Sequence, residues 1–185
     1  DKTVAYLPSE KEDNPFLGNR GIRYAFSNPT LFHMQLRSLL QSSINGNLSI
    51  MFPMVTTVNE IKEAKKILLE VKEELEKEFI EVKMPKIGIM IEVPAAALNI
   101  DVISKYVDFI SIGTNDLIQY LFAADRVNQK VSHLYQPFHP IVIKTLKEAK
   151  SVREASDIVL IKYERPANQS ESVKIKRENY GLTYF

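Results

Sequence analysis

Residues Asp108–Arg126 read DFISIGTNDLIQYLFAADR. The opening of this stretch continues the apolar run Val107–Ile112, which has the length and composition of a buried strand. Gly113 interrupts it, and Leu117–Ala124 then predicts a helix. Strand, tight turn and helix in immediate succession make a βα unit.

The same alternation extends to either side. Upstream, Ile87–Ile91 is a second buried strand, followed by Pro94 and an Ala-rich helix to about Ser104. Further upstream, LSIMFPM (Leu48–Met54) predicts a third strand. Thr57 and Glu60 behind it form a capping box. The helix that follows has one apolar stripe, Ile61, Ala64, Leu68, Val71, Leu75 and Phe79, and a Lys/Glu-rich solvated remainder. Lys66–Glu70 and Glu73–Lys77 are opposite charges four apart. Asn28–Pro29 marks an earlier helix start, with Asn as cap and Pro at the first position. Residues 1–19 are expected to form a loop. Downstream, Pro140 opens a helix to about Lys150, and Asp157–Tyr163 offers one more strand.

Short apolar strands alternating with amphipathic helices predict an α/β fold with a parallel sheet. Periodicity does not separate a doubly wound sheet from a (β/α) barrel. A closed barrel needs eight strands, so the strand count leaves an open sheet or an incomplete barrel.

Composition narrows the function classes. The 185 residues include no cysteine, which excludes disulfides and thiolate chemistry within them and fits a reducing cytosol. The formal net charge is +1, giving no general attraction to nucleic acid or membrane. No run approaches the roughly 20 apolar residues of a membrane span. The opening DKTVAYLPSEKEDNP lacks the apolar core of a signal peptide and reads as a cut inside a larger chain.

In βα architectures, chemistry gathers in the loops after the strands. Glu92 follows one strand, Asn115 and Asp116 follow another, and Arg126 ends the helix behind them. Two partly desolvated carboxylates on consecutive βα units repel, and a divalent cation resolves that; hard oxygen ligands in small number suit Mg²⁺. Helix capping or salt bridging by Glu92 and Asp116 is the other reading. Gly113 and the helix start offer backbone N–H groups to an anion, to which Asn115 adds a donor; a plain tight turn explains them equally. Arg20, between Gly18 and Gly21, is suited to phosphate or carboxylate, or to a surface salt bridge. Arg23 shares that ambiguity and could orient a neighbour. His33, His133 and His139 lack a metal or triad pattern and are expected to be structural, with His139 placed to cap the helix at Pro140.

Taken together, IGTNDLIQYLFAADR within Asp108–Arg126, NPFLGNRGIR (Asn14–Arg23), IMFPM (Ile50–Met54), IGIMIEVPAAA (Ile87–Ala97) and SHLYQP (Ser132–Pro137) resemble the PEP-utilising enzymes. The wording NDLIQYLFAADR and SHLYQP is most similar to Enzyme I of the bacterial sugar phosphotransferase system. The resemblance covers residues 1–150, and residues 151–185 form a divergent segment without a recognisable match.

The resemblance implies a partial (β/α)₈ TIM-type barrel, incomplete at both ends, that binds phosphoenolpyruvate and Mg²⁺. It implies Glu92 and Asp116 as Mg²⁺ ligands, Arg20 and Asn115 at the phosphoryl group, and Arg126 at the carboxylate. It implies a cytoplasmic homodimer whose separate N-terminal domain carries the phosphorylated histidine and serves a histidine-containing carrier protein. That histidine domain, two upstream phosphate-binding arginines and a cysteine acid in a Gly-x-Cys-Gly-Glu block have no counterpart in these residues. This chain is therefore expected to supply no catalytic residue and to be inactive alone. A fragment of a pyruvate phosphate dikinase or PEP synthase, and a non-catalytic remnant that dimerises or binds ligand, are the alternatives.

Overall fold

The computed structural model describes residues 12–149; residues 1–11 and the expected strand Asp157–Tyr163 lie outside the described residues. Three short strands, β1 (Ser49–Phe52), β2 (Lys86–Ile91) and β3 (Phe109–Ile112), form a parallel sheet in the order β1-β2-β3. Ile50 lies opposite Ile87, and Ile89 opposite Ile110. Every predicted strand within the described residues is present. The central strand is covered on both faces: Ile87, Ile89 and Ile91 are buried on one, Gly88 is buried and Met90 half-buried on the other, which is why Ile87–Ile91 reads as a continuous apolar run instead of alternating with polar residues. Gly88 makes room for the Phe109 ring of the neighbouring strand.

Helices connect and cover the strands: α1 (Ile22–Ser27), α2 (Pro29–Ser42), α3 (Val58–Lys77), α4 (Pro94–Leu98), α5 (Ile100–Ile103), α6 (Thr114–Phe122) and α7 (Pro140–Ala149). None is long and apolar enough to cross a membrane.

α3 follows its sequence signals closely. The Thr57 side chain accepts from the Glu60 N–H, and the Glu60 carboxylate accepts from the Thr57 N–H at 2.7 Å, closing the capping box. Ile61, Ala64, Leu68, Val71 and Leu75 are all buried. Each such leucine contributes about 1.5–3 kcal/mol of hydrophobic stabilisation. Phe79 departs from the expected stripe. The helix stops at Lys77, and Phe79 lies beyond it, 96% exposed with φ 61°. Lys66 pairs with Glu70 at 3.9 Å as expected. The other intrahelical pair is Lys72–Glu76 and not Glu73–Lys77.

The remaining differences are local. Pro29 begins α2 as expected, but the Asn28 side chain caps nothing there; its Nδ2 donates to the Tyr24 carbonyl at the end of α1. Asn99 splits the Ala-rich helix into α4 and α5. α6 begins at Thr114, so Asn115 and Asp116 belong to its first turn and not to a loop. The histidine readings hold at two positions. His139 Nδ1 accepts from the Ile141 N–H at the start of α7, and its ring packs edge-on to Phe122. His33 meets Glu74 at 2.9 Å, joining α2 to α3.

Candidate functional site

The C-terminal ends of the three strands bring four polar side chains together. Glu92 follows β2 directly. Asp116 sits in the first turn of α6, just beyond β3. Arg20 arrives from the loop before α1. That loop is tied to the strand ends because the Ile22 N–H donates to the Pro53 carbonyl at 3.1 Å. Gly21 makes this approach possible: its φ is +58°, and a Cβ there would lie 2.7 Å from Met54 Cβ. Arg23 braces the same loop by donating to the carbonyls of Leu17 and Gly18, the orienting role anticipated for it.

Asp116 is the centre of the cluster. Arg20 Nη2 donates to its Oδ2 at 2.7 Å, and Arg126 Nη1 donates to its Oδ1 at 2.6 Å. Asp116 is thus a salt-bridge partner of both arginines, one of the two roles left open by the sequence. Arg126 does not end α6. It lies four residues past the helix, where left-handed Ala123 (φ 49°) turns the chain back. The buried Gln119 holds that return, accepting from the Arg126 N–H through Oε1. Both guanidiniums lie over the Phe16 ring, 5.9 Å from its centroid for Arg20 and 5.5 Å for Arg126.

Glu92 is 5% exposed. Its Oε1 accepts from the Met54 N–H at 2.7 Å. Burial pushes its carboxyl above the usual range. The Met54 N–H opposes this, the Asp116 charge adds to it, and Arg20 and Arg126 pull against it. Gly113 leaves the space that the Glu92 side chain occupies: a Cβ at Gly113 would lie 2.8 Å from Glu92 Oε2. Asn115 is exposed at the rim, where Tyr135 Oη donates to its Oδ1 at 3.3 Å and leaves its Nδ2 as a donor.

All five residues singled out from the sequence are therefore in one region. Sequence reasoning passed over Phe16, Gln119, Tyr120 and Tyr135. Tyr120 accepts from Arg20 Nη1 at 3.2 Å and donates to the Phe16 carbonyl. One signal was present: Asp116, Gln119 and Tyr120 are spaced i, i+3, i+4, which puts them on one helical face.

The donor chemistry suits a small hard cation. Glu92 and Asp116 are both buried, and Glu92 is held partly against ionisation by its surroundings, a penalty that a cation would offset. With both carboxylates ionised, two guanidiniums and two carboxylates leave the cluster neutral.

Residues 1–162 match the family model described as PEP-utilising enzyme, PEP-binding domain. The chain belongs to that family. Within the PEP-utilising enzymes it is 55% identical over 148 residues to a protein of Listeria monocytogenes named phosphoenolpyruvate-protein phosphotransferase. A Staphylococcus epidermidis protein of the same name is 52% identical over 149 residues. Each alignment covers 80% of this chain but 26% of the relative, so the chain spans about a quarter of the length of those curated relatives.

Proposed function

We propose that this chain forms part of the phosphoenolpyruvate- and Mg²⁺-binding barrel of a phosphoenolpyruvate-protein phosphotransferase. The observation that carries the reading is the convergence of Arg20 and Arg126 on Asp116, beside buried Glu92, at the C-terminal ends of parallel strands. Three parallel strands with helical connections are the unit that a (β/α)₈ barrel repeats, and ligands of such barrels bind at this face. In this reading residues 1–150 belong to the barrel, and the family match runs on to residue 162.

Arg20 and Asn115 bind the phosphoryl group, and Arg126 binds the carboxylate of phosphoenolpyruvate. The planar fork of arginine matches both anions. Glu92 and Asp116 hold Mg²⁺, which when bound supplies charge neutralisation for the phosphoryl oxygens. Phe16 and Asp116 keep the two guanidiniums in place before the anion arrives, so little ordering remains to be done on binding. The intact enzyme transfers the phosphoryl group to a histidine on an N-terminal domain, passes it to a histidine-containing carrier protein for sugar uptake, and works as a cytoplasmic homodimer.

Calorimetry of the 185-residue chain with phosphoenolpyruvate and MgCl₂ tests the site. Saturable heat that Glu92→Ala abolishes is the expected result. No Mg²⁺-dependent heat from the wild-type chain would leave it a scaffold without a ligand.

A further inference from the structure

Among the described residues, the Arg20 guanidinium meets the Asp116 carboxylate, the Phe16 ring and the Tyr120 hydroxyl. They differ in what they do to its charge. The carboxylate cancels it, and in the reading above the same carboxylate is shared with Mg²⁺. The hydroxyl is a neutral acceptor, so it fixes the guanidinium without consuming the charge that an anion needs.

Tyr120 is itself fixed for this task. A hydroxyl has one proton to give. That proton goes to the Phe16 carbonyl, with the Met54 sulfur 3.8 Å from the oxygen, which turns a lone pair toward Arg20 Nη1 at 3.2 Å. The phenol thereby ties α6 to the loop that carries Arg20. Burial raises its pKa, with the Arg20 charge opposing and the Asp116 charge assisting, so it stays protonated at neutral pH and keeps this polarity.

We propose that Tyr120 is a positioning residue, holding the Arg20 guanidinium in the orientation that meets the phosphoryl group. The role of Arg20 rests on the phosphoenolpyruvate reading; the grip of Tyr120 on Arg20 does not.

The test uses the full chain as wild type, Tyr120→Phe, Arg20→Lys and the double variant. Two readouts separate the parts. The first is the ¹⁵N spectrum of the arginine Nη groups without ligand, recorded well below the melting temperature of each protein. Wild type is expected to give separate Arg20 Nη signals from slow guanidinium rotation. Tyr120→Phe is expected to merge those of Arg20 while leaving those of Arg126 separate. A merely structural loss would disturb both arginines. The second readout is the calorimetric affinity for phosphoenolpyruvate with MgCl₂. Tyr120→Phe should weaken it roughly tenfold, as loss of a hydrogen bond to a charged group does, and should add nothing once Arg20 is Lys. Unchanged Arg20 signals in Tyr120→Phe would overturn the proposal, as would an equal affinity loss in the Arg20→Lys background. If wild type takes up no phosphoenolpyruvate, the site reading fails, and the Arg20 spectrum alone upholds or overturns the positioning role.

Discussion

Glu92 carries an unresolved cost in the absence of a cation. It is buried, its carboxyl is pushed above the usual range first by burial, and the Met54 N–H offsets part of that. The sign follows from proton counting. A carboxyl whose folded pKa is raised binds more protons folded than unfolded, so stability falls as pH rises from the ordinary carboxylate range through the raised value, then levels. Gln at this position keeps an acceptor for Met54 and carries no charge. With EDTA present, Glu92→Gln should therefore melt higher than wild type at neutral pH, and its melting temperature should lose the decline across that interval. A wild-type decline that survives in Glu92→Gln would assign it to another group. Gly113 tests the same contact sterically. Its φ of −87° suits any residue, but a Cβ would lie 2.8 Å from Glu92 Oε2 and 2.9 Å from Met90 Sδ. Gly113→Ala should lose about 1–3 kcal/mol by overpacking. Gly46→Ala, where nothing lies within 4 Å of the added carbon, should stay within about 0.5 kcal/mol. Urea denaturation of the two variants decides it, and equal effects would show that the Gly113 contact relaxes freely.

α3 shows what an element's sequence makes readable. Its capping box, its buried stripe and its charged remainder are all periodic signals, and the helix forms where they predict it. The strands were readable for a similar reason, because a parallel sheet covered on both faces demands uninterrupted apolar runs. Helix ends were less readable. Phe79 continues the i, i+4 spacing, yet Lys77 and Glu78 end the helix before it, and nothing in the periodicity separates a last buried turn from a frayed one. Thr114, Asn115 and Asp116 are poor interior helix formers but are tolerated in a first turn, so the start of α6 came out three residues late. The site divides in the same way. Glu92 and Asp116 stood out as polar groups after strands and Arg20 as an arginine between two glycines, whereas the inward turn of Arg126 depends on a left-handed Ala123 that has no sequence signature. Tyr120 was hidden because a tyrosine at helical spacing looks like core. Phe79 also yields a prediction. An exposed β-carbon-bearing residue at φ 61° carries about 1–2 kcal/mol of backbone strain, and glycine there gives back about 0.5–1 kcal/mol of that in chain entropy. Phe79→Gly should thus stabilise the chain by up to about 1 kcal/mol in urea denaturation. A clear destabilisation would mean that the Phe79 ring buries apolar surface against a partner.

Across the whole molecule, the charges of the cluster couple the two expected ligands. Arg20 and Arg126 are offset by Asp116 and, when ionised, Glu92, so these four side chains by themselves offer an anion little net attraction. On the proposed reading, a divalent cation held by Glu92 and Asp116 would restore positive charge and compete with the guanidiniums for Asp116. Phosphoenolpyruvate would then find both arginines available, and by linkage it would tighten the cation by the same factor. The two ligands should therefore stabilise the fold together by more than the sum of their separate effects. At about one hundred times the dissociation constant a native-state ligand adds about 2.7 kcal/mol, which in a chain of this length raises the melting temperature by about 5–10 °C. Thermal melts with MgCl₂ alone, phosphoenolpyruvate alone and both together provide the measurement, with pyruvate and MgCl₂ as the ionic-strength control. Asp116→Asn keeps the shape of the side chain but removes the shared charge. It should abolish the joint increment, and because it also leaves two half-buried guanidiniums without their carboxylate, it should melt below wild type before any ligand is added. A joint shift equal to the sum of the two single shifts, or one that Asp116→Asn retains, would mean that cation and anion bind independently and that Asp116 does not link them.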